Sequence, residues 1–163
     1  MSLSKVLIRQ ATAQDISAVV ALERETAGAP HWAAAEYAVM VEESADPFAR
    51  RLLVVAESSD KDMVGLAVGK VAGVGADAFG EIESVAVATR ARRAGVGRAL
   101  CEAVLEWCRK EGAQAIELEV RSASEAAIAL YRQLGFKAVG MRRSYYRDPV
   151  DDAILMSRVC LHS

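Results

Sequence analysis

A chain of 163 residues, 53% hydrophobic and 26% charged, has the length and composition of one globular domain that can bury a substantial core. Its net charge of −2 argues against non-specific adhesion to nucleic acid or to a membrane surface, and no apolar stretch is long enough to cross a bilayer or to act as a secretory signal, so the expectation is a cytoplasmic protein. The cysteines, Cys101, Cys108 and Cys160, are odd in number and lack metal-ligand spacing, which reads as reduced, buried thiols.

Lys5 to Ala11 reads as a first strand. Thr12 then offers a helix cap with Asp15 three residues on, and Ile16, Val19, Val20 and Leu22 recur at helical spacing. Pro30 fixes a turn, Trp32 to Ser44 is a shorter helical pattern, and Asp46-Pro47 breaks it. Arg51 to Glu57 and Met63 to Val71 are strands joined by a polar linker, Ser58 to Asp62, short enough for a hairpin. Gly73 and Gly75 mark the turn into a strand over Phe79 to Ala88. The helix Val96 to Gly112 carries Val96, Ala99, Leu100, Ala103, Val104 and Trp107 on the face that would cover a sheet. From Gln114 to Arg121, Ile116, Leu118 and Val120 alternate with Glu117, Glu119 and Arg121, a strand with one buried and one open face. Ser124 caps a predicted helix from Glu125 to Leu134, Gly135 ends it, and Phe136 to Ser144 and Ala153 to Leu161 are two closing strands. The order β-α-α-β-β-β-α-β-α-β-β predicts an α/β fold: one mixed sheet of six to seven strands flanked by about four helices, in a single domain over residues 1–163.

Between the strand ending near Ala88 and the helix opening at Val96 lies Arg92-Arg93-Ala94-Gly95-Val96-Gly97. A basic, glycine-punctuated loop at a helix N-terminus aims several backbone N–H groups and the positive end of the helix dipole at one point, which suits a pyrophosphate. An ordinary turn with solvated arginines has the same composition. The loop is neither a Walker loop nor a dinucleotide fingerprint, since the Gly-Lys-Ser/Thr and the Gly-x-Gly-x-x-Gly are both missing. Glu119 and Tyr131 follow on the next strand and helix. A carboxylate and a phenol facing one cleft could serve as general base and general acid, although for each alone a wet strand face and a core aromatic are the stronger explanation.

The Arg-x-x-Gly-x-Gly loop, the stretch EVRSASEAAIALYRQLGF from Glu119 to Phe136 and the ending MRRSYYRDPVDDAILM from Met141 to Met156 together resemble the GNAT superfamily of N-acetyltransferases. Within it the chain is most similar to the RimI-type ribosomal-protein-alanine acetyltransferases, from about Val6 onward. The resemblance implies that acetyl-CoA lies between two splayed parallel strands, Ile82 to Ala88 and Gln114 to Arg121. It implies that the backbone of Val85, Ala86 and Val87 holds the pantetheine and that Arg92, Arg93, Ala94, Gly95, Val96, Gly97 and Arg98 hold the pyrophosphate. Glu119 takes the position of a base acting through water, and Tyr131 that of the acid beside the thiolate, for direct transfer with no metal. Tyr145 and Tyr146 would cover the acceptor cleft, with His31 and Trp32 on its other wall. Ser124 stands where relatives usually carry an asparagine that contacts the cofactor, and a hydroxyl keeps only part of that hydrogen bonding. Glu81 and Glu83 are rival bases.

The implied acceptor is the α-amino group of a protein or peptide N-terminus, a ribosomal protein among the candidates. The alternatives are a small-molecule amine and, from another class, a noncatalytic acyl-CoA-binding module. No nucleic-acid or membrane partner is implied.

Overall fold

The computed structural model describes residues 5–26, 29–42 and 46–160. Seven strands, β1 (Val6–Gln10), β2 (Ala49–Ser58), β3 (Met63–Ala72), β4 (Phe79–Val87), β5 (Ala115–Arg121), β6 (Lys137–Tyr146) and β7 (Asp151–Val159), form one sheet in the order β1-β2-β3-β4-β5-β7-β6. Its helices are α1 (Ile16–Glu25), α2 (Ala34–Val41), α3 (Val96–Lys110) and α4 (Glu125–Gln133). The predicted element order is therefore the observed one. None of the described helices is long and apolar enough to cross a membrane.

Four antiparallel strands lead. At the chain start, the Asp15 carboxylate accepts from the backbone N–H of Thr12 at 2.7 Å and from both terminal nitrogens of Arg9, which ties the first helical turn to β1. The centre of the sheet is built for close approach: a Cβ placed on Gly69 of β3 would lie 2.6 Å from Val104 Cγ1 of α3.

The buried stripe of α3 differs from the predicted one. Val96, Leu100, Cys101, Val104, Leu105 and Cys108 are buried, whereas Ala99, Ala103 and Trp107 are only partly so. Both thiols pack in the core as small hydrophobes, and a Cβ on Gly80 of β4 would lie 3.1 Å from Cys108 Sγ. All three cysteines are free, and burial pushes the Cys101 thiol up to about 12. The second predicted helix is shorter than Trp32 to Ser44, because Ala33 is extended and α2 begins after it; Ser44, like Leu161 of the last predicted strand, lies outside the described residues. Ser124 occupies the position before α4, yet its hydroxyl makes no capping hydrogen bond.

One irregularity shapes the whole centre of the sheet. Val68 pairs with Ser84 but Gly69 pairs with Ile82, so Glu83 is an extra residue in β4, a bulge that adds twist. β4 and β5 run parallel and pair only at Gly80 with Ile116 and Glu81 with Glu117. Beyond those rungs the two strands part.

Candidate active site

The parting of β4 and β5 opens a cleft of about 760 Å³. Val85 lines it from β4, Glu119 from β5, Ser124 and Tyr131 from the α4 segment, Tyr145 and Tyr146 from the end of β6, and His31 and Trp32 from the segment before α2. The rival carboxylates Glu81 and Glu83 line it too. Ala86, Val87 and residues 92–98 do not; the loop sits at the N-terminus of α3 instead. A second groove of about 790 Å³, between α3, α4 and the outer end of β7, contains only Arg98 of the predicted site residues.

Alternation of β5 directs Leu118 and Val120 into the core and leaves Glu119 half-buried in the cleft, where Arg142 Nε approaches its Oε1 at 3.3 Å. Tyr131 packs edge-on against Phe136, ring centres 6.0 Å apart. Burial, more than its neighbours Cys101 and Tyr146, pushes the Tyr131 hydroxyl well above the ordinary phenol value. Burial likewise raises the Tyr146 hydroxyl, with the Glu119 carboxylate as the next cause. Of the rival bases, Glu83 is held by both nitrogens of the Arg51 fork at 2.9 Å, while Glu81 is raised first by desolvation and then by Glu83.

At the loop, Gly95 has φ +80° and Arg93 φ +63°, both left-handed, so the chain reverses sharply before α3. The N–H groups of Val96, Gly97 and Arg98 find no backbone acceptor among the described residues, as expected of a first helical turn. Only Gly95 needs glycine for its backbone; Gly97 is helical, and a Cβ there would make ordinary contact with Val87 Cγ2 at 3.6 Å. Arg92 and Arg93 are exposed and form no ion pair among the described residues, whereas Arg98 is engaged by Glu102 at 2.8 Å and Gln133 at 3.3 Å.

Sequence patterning missed the residues that hold the cleft walls in place. Arg121 donates to the carbonyls of Arg147 and Pro149, both at 3.0 Å, and stacks over Tyr146 at 4.4 Å, which fixes the β6–β7 hairpin. Asp151 accepts from Ser122 Oγ at 2.5 Å and Ala123 N at 3.1 Å, tying the turn before α4 to β7, and these bonds lower its carboxyl pKa. On the opposite wall, Arg51 lies 5.5 Å from the Trp32 ring centre, and the buried Glu23 carboxylate accepts from the backbone N–H groups of His31 and Trp32. The signal for Glu23 was a charge four residues after Val19, on the apolar stripe of α1.

A mixed sheet whose parallel pair parts beside a bulge, with a cleft in the gap, is the architecture of known N-acetyltransferases. The Acetyltransferase (GNAT) family model matches residues 16–136, and the chain belongs to this family of N-acetyltransferases. Among its relatives, the [ribosomal protein bS18]-alanine N-acetyltransferase of Escherichia coli K12 is 43% identical over 76 residues, which are 45% of this chain and 51% of that protein. The N-alpha-acetyltransferase RimI of Mycobacterium tuberculosis is 40% identical over 78 residues, 48% of each chain. The chain thus spans about half the length of these curated relatives in alignment. The crystal structure of the ribosomal-protein-S18-alanine N-acetyltransferase from Escherichia coli superimposes with a TM-score of 0.79 at 30% identity, covering 98% of this chain and 96% of that one.

Proposed function

We propose that this chain acetylates the α-amino group of a protein N-terminus, with acetyl-CoA as donor and a ribosomal protein as the candidate acceptor. The observation that carries the reading is the cleft itself: Glu119 and Tyr131 line the gap between β4 and β5, and Tyr145-Tyr146 and His31-Trp32 line it with them.

The residues present suit acetyl-CoA. From Ile82 onward the β5-facing edge of β4 has no strand partner, so the backbone of Val85, Ala86 and Val87 is available to an extended chain such as pantetheine. The reversed loop at Gly95, the open first turn of α3 and the unpaired Arg92 and Arg93 suit a diphosphate; Arg98, already engaged, is the weakest member of that set. The uncapped Ser124 hydroxyl is a further donor. Acetyl-CoA supplies an activated acetyl thioester.

The chain's own groups then handle protons. Glu119 takes one from the incoming amine through water, and the Tyr131 hydroxyl, kept protonated by burial, gives one to the departing sulfur. An α-amino group ionises near about 8 and a lysine amine near about 10.4, so the former needs little help from a carboxylate to become nucleophilic near neutral pH. Holding amine and thioester together supplies much of the remaining rate.

Incubation with acetyl-CoA and peptides differing in their first two residues, read by mass spectrometry, tests the assignment. One acetyl group on the N-terminus of a subset of peptides is expected. Acetylation of free small amines with every peptide untouched overturns it.

A further inference from the structure

Glu23 is a charged residue where its helix should be apolar. It lies four residues after Val19 and seven after Ile16, and with Val19 and Leu22 it makes up the buried face of α1; its relative exposure is 0%. An isolated carboxylate in such a place is expensive unless donors meet it. Two do: the backbone N–H of His31 and, at 3.3 Å, that of Trp32. Its second oxygen, Oε2, has no partner among the described residues, and the buried Tyr37 hydroxyl, raised first by burial and next by Glu23, stands beside it.

The chain that Glu23 holds is the wall of the cleft. His31 sits in the left-handed region at φ +57°, a conformation uncommon for a non-glycine residue, and its N–H is held there by Glu23. Trp32 meets Tyr37 edge-on at 5.8 Å and carries Arg51 over its ring at 5.5 Å. Arg51 in turn grips Glu83, the bulged residue of β4 that faces the cleft, through two bonds of 2.9 Å. A continuous series of contacts therefore runs from the interior of α1, through His31 and Trp32, to the strand edge where β4 leaves β5.

We propose that Glu23 is a positioning residue for the acceptor: its carboxylate anchors His31 and Trp32 and, through Trp32 and Arg51, sets the acceptor wall against the Glu83 bulge. The proposal rests on the acceptor cleft of the preceding section. Only one carboxylate oxygen is needed as an acceptor for the two N–H groups, so glutamine can replace it and leucine cannot.

The test uses Trp107→Phe as background, which leaves Trp32 as the only tryptophan. In Glu23→Leu, acrylamide quenching of Trp32 should rise about twofold, and the KM for the acceptor at least about tenfold, as the N–H groups of His31 and Trp32 lose their partner. The KM for acetyl-CoA and kcat should stay within about twofold, the split expected when only acceptor binding is damaged. Glu23→Gln should behave as the parent. Arg51→Leu, at an exposed site, should raise the same KM and the same quenching, and where Glu23→Leu does not fold its failure to do so overturns the proposal. Unchanged Trp32 quenching in both variants, an equal rise in both KM values, or a glutamine variant as impaired as the leucine one overturns the proposal. Failure of the parent to acetylate any peptide overturns the proposed function instead; Trp32 quenching and the KM of whichever amine is used still read the role of Glu23.

Discussion

Arg142 of β6 reaches across β7 to place its Nε 3.3 Å from Oε1 of Glu119 on β5. With the guanidinium more than half exposed, this pair contributes little to stability. The pair lies at the cleft, with the Glu119 carboxylate near Tyr146. A carboxylate in reach of solvent and of an incoming amine can pass a proton through one water. Glu119→Gln keeps size and hydrogen bonding but removes the proposed base, so kcat on a peptide acceptor should fall by about 10²-fold or more. The KM for acetyl-CoA should hold within about threefold. Steady-state kinetics decide, and a wild-type kcat would pass the role to Glu81.

Tyr131 makes a prediction about pH. Burial holds its hydroxyl above the ordinary phenol value of about 10, so the neutral, proton-bearing form prevails throughout the useful range. As the proposed general acid, Tyr131 should cause no alkaline fall in kcat below about pH 10, whereas an unburied phenol would begin to fail there. Tyr131→Phe should lower kcat by about 10-fold to 100-fold at every pH and leave the shape of the profile unaltered. A wild-type profile falling below about pH 9, with the fall absent in the phenylalanine variant, would contradict the protonated state argued for this residue.

The residues also show what a sequence can and cannot display. The place of Glu119 in the cleft was legible because β5 repeats every two residues and has one wet face; the basic turn before α3 was legible because its glycine and arginines are contiguous. The bulge at Glu83 was not, since Phe79 to Ala88 reads as an unbroken strand and the extra residue is visible only against β3. Arg51 and Glu83 are 32 positions apart, and Arg121 meets carbonyls 26 and 28 positions away, so their pairing depends on strand order rather than on local pattern. The buried face of α3 was misjudged by the same limitation: alanines and a tryptophan look more apolar than cysteines until the neighbouring strands reveal which side is enclosed.

Asp15 makes a stability prediction with a definite direction. The Arg9 guanidinium, followed in effect by the Thr12 N–H, lowers its pKa from 3.8 to about 2. A carboxyl whose pKa is lower in the folded state stabilises the fold above the unfolded value and loses that contribution as pH falls toward the folded one. Asp15→Asn should therefore cost about 1–2 kcal/mol at pH 7, after allowance for the partial exposure of Arg9. The difference between wild type and variant should be constant from pH 7 down to about 5 and shrink between pH 3.8 and about 2. Urea titrations at these pH values measure it, and a difference independent of pH would assign the effect to hydrogen bonding alone.

Gly95 separates two reasons for a glycine. Its φ of +80° disfavours any side chain, while a Cβ there would meet nothing within 4 Å, so shape is penalised by the backbone and not by crowding. Alanine should consequently cost about 1–2 kcal/mol of stability. It should change CoA affinity by less than about fivefold, because the first-turn N–H groups of α3 still lack backbone acceptors. Glutamate bears the same backbone penalty but adds an anion where a diphosphate is proposed to dock, so the Kd for CoA should rise at least about tenfold by calorimetry. Electrostatic repulsion near the surface is screened over about 3 Å at 1 M salt, so the excess loss in the glutamate variant over alanine should diminish at high salt. Equal affinities for alanine and glutamate variants at low salt would remove this loop from the binding site, because backbone strain is common to both and only the charge distinguishes them.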